Sequence, residues 1–171
     1  ANNLSGDIGT RFAVVRYGNV AGSRGSVIPF FRRLMDQGAA SLPITDPRMT
    51  RFWITLQQGV DFVLSCAETT RGGEIFVPKI PSCSISALAR AMAPDLEHRI
   101  VGIRPGEKLH EMMISADDAR VTVDLGDRYA IEPDFAEWSR TGFAADGTGR
   151  PVGEGFAYVS DTNPEVLGED D

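Results

Sequence analysis

The chain has 171 residues, 42% hydrophobic and 24% charged, with a formal net charge of −7. That balance fits a globular protein with a real core, and its longest apolar runs fall far short of the ~18 residues a membrane helix needs. Residues 1–116 carry 13 Lys and Arg against 10 Asp and Glu, whereas residues 117–171 carry 4 against 14. An acidic end of this kind argues against nucleic acid as the main partner, while the mildly basic front suits a small anionic ligand. No basic-then-apolar segment opens the chain, so a cytoplasmic, non-membrane protein is expected. Cys66 and Cys83, with only His98 and His110 beside them, are too few for a disulfide framework or a zinc site, so they are expected as reduced core thiols and no metal is expected.

Residues 12–17 (Phe-Ala-Val-Val-Arg-Tyr) predict a buried strand between Gly9 and Gly18, with the end of a helix and a turn in residues 1–11. Gly22-Ser23-Arg24-Gly25 is a loop, and Ser26 is placed to cap a helix carrying Val27, Ile28, Phe31, Leu34 and Met35 and ending at Gly38. Pro29 falls in its first turn, where a missing N–H is harmless. Residues 41–45 predict an extended segment. A second helix follows Thr55, with apolar positions at Leu56, Val60, Val63 and Leu64. Gly72-Gly73 turns the chain into a strand over 74–77, closed by Pro78. Ser84 or Ser86 starts a third helix, with Leu88, Ala89 and Met92 inward, that Pro94 stops. A strand over 99–103 and a short helix over 109–114 come next. Further on, strands are expected at 121–125 and 129–131, then loop, with a disordered end over 165–171. Helices alternating with short strands make an α/β protein.

The common chemical signatures are missing. No Gly-x-Gly-x-x-Gly dinucleotide turn, Walker loop or nucleophile elbow occurs, and the second His that His110-Glu111 would need in a zinc-protease motif is Ile114. Tyr17, Tyr129 and Tyr158 are followed four residues on by Ala21, Pro133 and Thr162, so no Tyr-x-x-x-Lys pair exists and no catalytic residue is assigned. The arginines carry more. Arg24 lies in a loop just past a strand end, Arg51 sits beside Phe52-Trp53, and Arg104 and Glu107 flank Pro105-Gly106 on one stiff turn. A guanidinium grips phosphate oxygens through paired donors, and a carboxylate accepts two vicinal hydroxyls, so this turn suits a ribose diphosphate. Taken singly, each Arg reads more readily as a surface or structural ion pair, and spacing alone does not overturn that. Phe52-Trp53 is expected in the core, and Phe135, Trp138 and Phe143 in peripheral packing.

Arg16-Tyr17-Gly18-Asn19-Val20, Gly22-Ser23-Arg24-Gly25-Ser26-Val27, Pro43-Ile44-Thr45-Asp46, Arg48-Met49-Thr50-Arg51-Phe52-Trp53-Ile54, Gly73-Glu74-Ile75-Phe76-Val77-Pro78-Lys79 and Gly102-Ile103-Arg104-Pro105-Gly106-Glu107-Lys108-Leu109-His110-Glu111 occur in this order. Over residues 1–135 the chain resembles the C-terminal half of the inverting UDP-N-acetylglucosamine 4,6-dehydratases, extended short-chain dehydrogenases that begin pseudaminic acid synthesis. The resemblance implies the end of an NADP-binding Rossmann domain in residues 1–25 and mainly the smaller nucleotide-sugar domain in 26–135; beyond it, the Gly, Pro and acidic content of 136–171 predicts an acidic, largely irregular tail. The resemblance implies substrate contacts from Asn19, Arg24, Thr45, Arg51, Arg104 and Glu107, and a cofactor contact from Val20. It further implies that the residues for C4 oxidation and for elimination lie in an upstream half, that this piece is inactive alone, and that the full protein is a homo-oligomer. A related UDP-sugar epimerase, a retaining dehydratase and a non-catalytic UDP-sugar-binding module remain as alternatives.

Overall fold

The computed structural model describes residues 10–134 and 141–168. Twelve short strands and three α-helices are assigned among them: β1 (Val14–Val15), β2 (Asn19–Val20), α1 (Val27–Asp36), β3 (Ser41–Ile44), β4 (Thr50–Ile54), α2 (Leu56–Thr69), β5 (Ile75–Pro78), β6 (Ser82–Ser84), α3 (Ile85–Met92), β7 (Glu97–Ile100), β8 (Met112–Ile114), β9 (Thr122–Asp124), β10 (Arg128–Ile131), β11 (Arg150–Pro151) and β12 (Tyr158–Val159). The expected mixed α/β class is what forms. The chain crosses repeatedly between two compact units, one built from the described residues of Ala1–Tyr17, Gln57–Lys79 and Met113–Tyr158, the other from Gly18–Leu56, Ile80–Met112 and Val159–Asp171.

The first unit holds a five-stranded sheet in the order β1-β5-β10-β9-β11. β1 runs parallel to β5, with Val14 opposite Ile75 and Val15 opposite Phe76. The remaining pairs are antiparallel. Residues 12–17 are not the fully buried strand their composition predicts: only two of them pair, and Val14 is 43% exposed. Among the described residues β1 has a partner on one edge alone, which leaves its side chains half covered. On α2 the buried positions are Gly59, Phe62 and Cys66, one helical face, while the apolar stripe of Leu56, Val60, Val63 and Leu64 is exposed. Phe62 and Cys66 join Phe76, Val123, Ala130 and Phe143 in this unit's core.

Phe143 corrects the expectation of peripheral packing, since it is buried edge-on to Phe76, with ring centroids 6.2 Å apart. Arg71 covers its outer face 3.9 Å from the ring centroid and pairs with Asp146 at 2.7 Å. Phe135 and Trp138 lie outside the described residues, as do the first nine. Where α2 meets β5, the fully buried carboxylate of Glu74 accepts from the Thr70 hydroxyl at 2.7 Å, the Arg71 N–H at 3.0 Å and the Gly72 N–H at 2.9 Å. A buried charge tolerates its surroundings only when donors surround it, and this one ties the Gly72-Gly73 turn shut.

The second unit combines a three-stranded sheet, β2-β4-β6, with the parallel pair β3-β7. β2 runs parallel to β4, with Asn19 opposite Trp53, and β4 runs antiparallel to β6. α1 packs Phe31 inward, and Gly38, at φ +72°, stops it with the left-handed geometry that glycine adopts freely. α3 is capped by the Ser84 hydroxyl, which accepts from the Ala87 N–H at 3.0 Å. These elements enclose Phe31, Leu42, Ile44, Met49, Trp53, Cys83, Ile85 and Ala89. Phe52, also buried, meets the core expectation, as does Trp53.

Two further expectations give way. The strand expected over 99–103 forms earlier, at β7. Residues 109–114 make no helix, because the Glu111 backbone is taken by Ser160: its N–H donates to Oγ at 2.9 Å and its carbonyl accepts from the Ser160 N–H at 2.8 Å. Glu165 and Leu167, expected as disordered end, exchange backbone hydrogen bonds with Ser82 at 2.9 and 2.8 Å, and the Asn163 amide braces that pairing by donating to the carbonyls of Ile80 and Glu165. No helix among the described residues is long and apolar enough to cross a membrane.

Candidate functional site

In the second unit, two adjoining clefts open beside the N-terminus of α1. One, of about 190 Å³, is lined by residues that include Asn19, Ser26, Thr45, Arg51, Trp53 and Glu107. The other, of about 440 Å³, shares Ser26, Val27, Thr45, Ile85 and Glu107 and adds Arg33 and Arg104 over a floor of Pro29, Phe30, Phe31 and Pro43. Five of the six substrate positions expected from the sequence therefore line one continuous depression. Arg24, in the exposed turn after β2, does not line it, and neither does Val20.

Each element delivers its residue for a local reason. Gly18 lies so close to β4 that an added Cβ would sit 2.5 Å from Phe52 Cβ, and this contact brings Asn19 to the cleft. Thr45 follows directly on β3, whose pairing with β7 fixes the end of that strand. After β7 the chain turns at Pro105-Gly106, where the Glu107 N–H donates to the Arg104 carbonyl at 3.0 Å and the Glu107 carboxylate accepts the Arg104 N–H at 3.2 Å. Among the described residues the Arg104 guanidinium forms no ion pair.

Arg51 behaves differently. One of its Nη atoms donates to the carbonyls of Thr50 at 2.7 Å and Leu109 at 3.1 Å, the other to Lys108 at 2.9 Å. It clamps the segment that follows the Arg104–Glu107 turn and keeps few donors for anything else. Arg48 holds Asp46 through two side-chain bonds and its own N–H, which brings the Asp46 carboxyl down to about 2. Beneath the cleft, burial pushes the Cys83 thiol up, with the Trp53 indole pulling the other way. Cys66 in the other unit is likewise a free, buried thiol raised by burial.

Two residues of the site escape sequence reasoning. Ser26 stands at the N-cap of α1 as expected, but its hydroxyl makes no capping bond and has no partner among the described residues, although it borders both clefts. Its sequence signal, a serine before a helix, is the ordinary one for capping and gives no sign of a place at a cleft. Glu111 lies within the last recognisable segment, yet its position four residues beyond Glu107 gave no sign that its carboxylate reaches Asn19 at 3.1 Å and the Phe52 N–H at 3.1 Å. Chemically, the depression offers a cation, a carboxylate, unpaired polar groups and an apolar floor at the positive end of a helix. That combination suits an anionic ligand with a flat or apolar part and hydroxyls.

Residues 1–133 match the family model described as polysaccharide biosynthesis protein. A UDP-N-acetylglucosamine 4,6-dehydratase (inverting) of Campylobacter jejuni is 55% identical over 173 aligned residues, which cover 99% of this chain and 52% of the relative. A UDP-glucose 4-epimerase of Rickettsia canadensis is 41% identical over 81% of this chain and 41% of its own length. Among solved structures, that of Pen from Bacillus thuringiensis superimposes with a TM-score of 0.81 at 28% identity, over 99% of this chain and 50% of the other. The chain spans about half the length of the curated relatives it matches.

Proposed function

Because the chain belongs to the polysaccharide biosynthesis protein family, we propose that it is the substrate-binding half of a UDP-N-acetylglucosamine 4,6-dehydratase that inverts C5. The observation that carries this reading is the Arg104–Glu107 turn opening, with Asn19 and Thr45, onto one depression. On this reading the unpaired Arg104 guanidinium neutralises the diphosphate, helped by the N-terminus of α1. The Glu107 carboxylate accepts the ribose hydroxyls. Asn19 and Thr45 orient the sugar, and the apolar floor receives the base. Arg24 joins at the rim.

NADP, when bound, supplies the reversible hydride transfer that lets a net non-redox loss of water proceed through an oxidised sugar. These 171 residues give it only Val20 and contain no glycine-rich dinucleotide turn, so they do not house it by themselves. What this chain does is bind and orient. The full protein is proposed to act in the cytoplasm as a homo-oligomer, feeding pseudaminic acid or a related surface glycan.

Arg104→Ala in the holoenzyme is expected to weaken UDP binding by about 1.5–3 kcal/mol, the value of a hydrogen bond to a charged group. Unchanged UDP affinity would remove the assignment. The 41% identity to an epimerase favours one other reading, a UDP-sugar 4-epimerase. Product NMR separates the two: a 4-keto-6-deoxy sugar inverted at C5 marks the dehydratase, and a C4 epimer the alternative.

A further inference from the structure

We infer that Glu111 is a positioning residue of the sugar-nucleotide cleft, fixing which atoms Asn19 presents to the ligand; the inference rests on the nucleotide-sugar reading above. Glu111 is itself held from three sides. Ser160 takes its backbone N–H and carbonyl at 2.9 and 2.8 Å, and the Phe52 N–H donates to Oε2 at 3.1 Å. With one oxygen committed to β4, Oε1 is turned to accept from Asn19 Nδ2 at 3.1 Å. Arg51 Nε stands 3.7 Å from the same oxygen, a longer contact that adds charge without setting direction.

An Asn amide is nearly symmetrical in shape and takes its orientation from its partners. A carboxylate can only accept, so it admits only the NH₂ end of Asn19. Oδ1 and the second N–H of Asn19 are thereby left for the cleft that this residue lines. The same carboxylate lies beside Arg51, whose other donors hold Lys108 and Leu109 just beyond the Arg104–Glu107 turn. Glu111 therefore links both walls of the depression without lining it.

Glu111→Gln keeps the shape and removes the rule. Its amide has one acceptor for two donors, Phe52 N–H and Asn19 Nδ2, so one of them faces an NH₂ group and Asn19 is free to turn over. The test uses the protein as purified from its source cells, with UDP-N-acetylglucosamine as the probe. We expect Glu111→Gln to weaken binding about tenfold. Asn19→Ala is expected to weaken it by a similar factor, and the double variant no further than Asn19→Ala alone, because both changes remove one interaction. A second readout needs no ligand: the Asn19 side-chain amide pair in a ¹⁵N spectrum is expected to shift in Glu111→Gln. Should that variant fail to fold, Glu111→Asp, which keeps the charge and shortens its reach, takes its place.

Multiplying effects in the cycle, an unchanged Asn19→Ala affinity, or an unmoved amide pair would each overturn the proposal. If the unsubstituted protein binds no UDP-sugar but the amide pair still moves, the nucleotide reading fails while the Glu111–Asn19 coupling stands.

Discussion

Gly18 joins β1 to β2 and stands against the middle of β4, where it sets the position of Asn19. An alanine Cβ there would lie 2.5 Å from Phe52 Cβ, 2.6 Å from its carbonyl oxygen and 2.8 Å from its carbonyl carbon. Carbon atoms in a packed interior prefer about 3.5–4.0 Å, so roughly 1 Å must be opened. Phe52 cannot retreat: it is fully buried and its N–H is held by Glu111. The two-residue β2 is the part that yields, and it gives up pairing with β4, including the Ala21 N–H to Ile54 carbonyl bond of 2.9 Å. Overpacking costs about 1–3 kcal/mol and a lost hydrogen bond about 0.5–1.5, so Gly18→Ala is expected to destabilise by about 2–4 kcal/mol. Urea unfolding reads this directly, and a parallel UDP titration should show weakened binding because Asn19 moves with the strand. Gly59, buried in α2 with nothing beyond its chain neighbours and its own helix backbone within 4 Å of where an alanine methyl would stand, is the control: Gly59→Ala should stabilise by about 0.5–1 kcal/mol. A Gly18→Ala protein within about 0.5 kcal/mol of the parent, with the same UDP affinity, would refute the reasoning.

Glu74→Gln places an NH₂ group against N–H donors inside the first unit and weakens the remaining bonds by removing their charge. A loss of about 2–3 kcal/mol is expected, a fall in Tm of roughly 4–12 °C; a change below about 2 °C would contradict this account of the buried carboxylate. The Asp46 carboxyl, held at about 2 by Arg48 against an ordinary 3.8, titrates later than a free aspartate as the solution is acidified. Because its folded value is lowered, the contribution of this clasp is complete above about pH 4 and disappears as the pH falls through about 2. A carboxyl ¹³C titration should show that midpoint, and Arg48→Ala should return it toward 3.8; an unmoved midpoint in the variant would reject Arg48 as the cause.

Much of the fold was legible in local signals. The α1 and α3 boundaries follow from a serine at each N-terminal position, of which Ser84 alone makes the capping bond, and from the terminal Gly38, and the strands at 41–44 and 75–78 from short apolar runs beside breakers. What failed did so where distant residues decide. Ser160 claims the Glu111 backbone and prevents a helix at 109–114, and no window around Glu111 contains that information. The apolar stripe on α2 was visible, but Phe62 and Cys66 are the positions that meet Phe76 across the sheet. Phe143, in a glycine-rich acidic segment, becomes core only because Arg71 and Phe76 close over it. For the site, the Arg104–Glu107 turn could be read from residue chemistry alone. Its meeting with Asn19 and Thr45 needed the crossings between β2, β3 and β7, and the commitment of Arg51 to backbone carbonyls needed three-dimensional distances.

The central claim is that the depression beside α1 receives the nucleotide diphosphate of a UDP-sugar. The most direct measurement is a ¹⁵N chemical-shift titration with UDP, following backbone amides and arginine side chains. The account predicts that the Arg104 guanidinium and the amides of Val27, Thr45 and Glu107 shift together and saturate, with the Arg51 side chain moving less. Shifts confined to residues outside this group, or none at millimolar UDP, would contradict it.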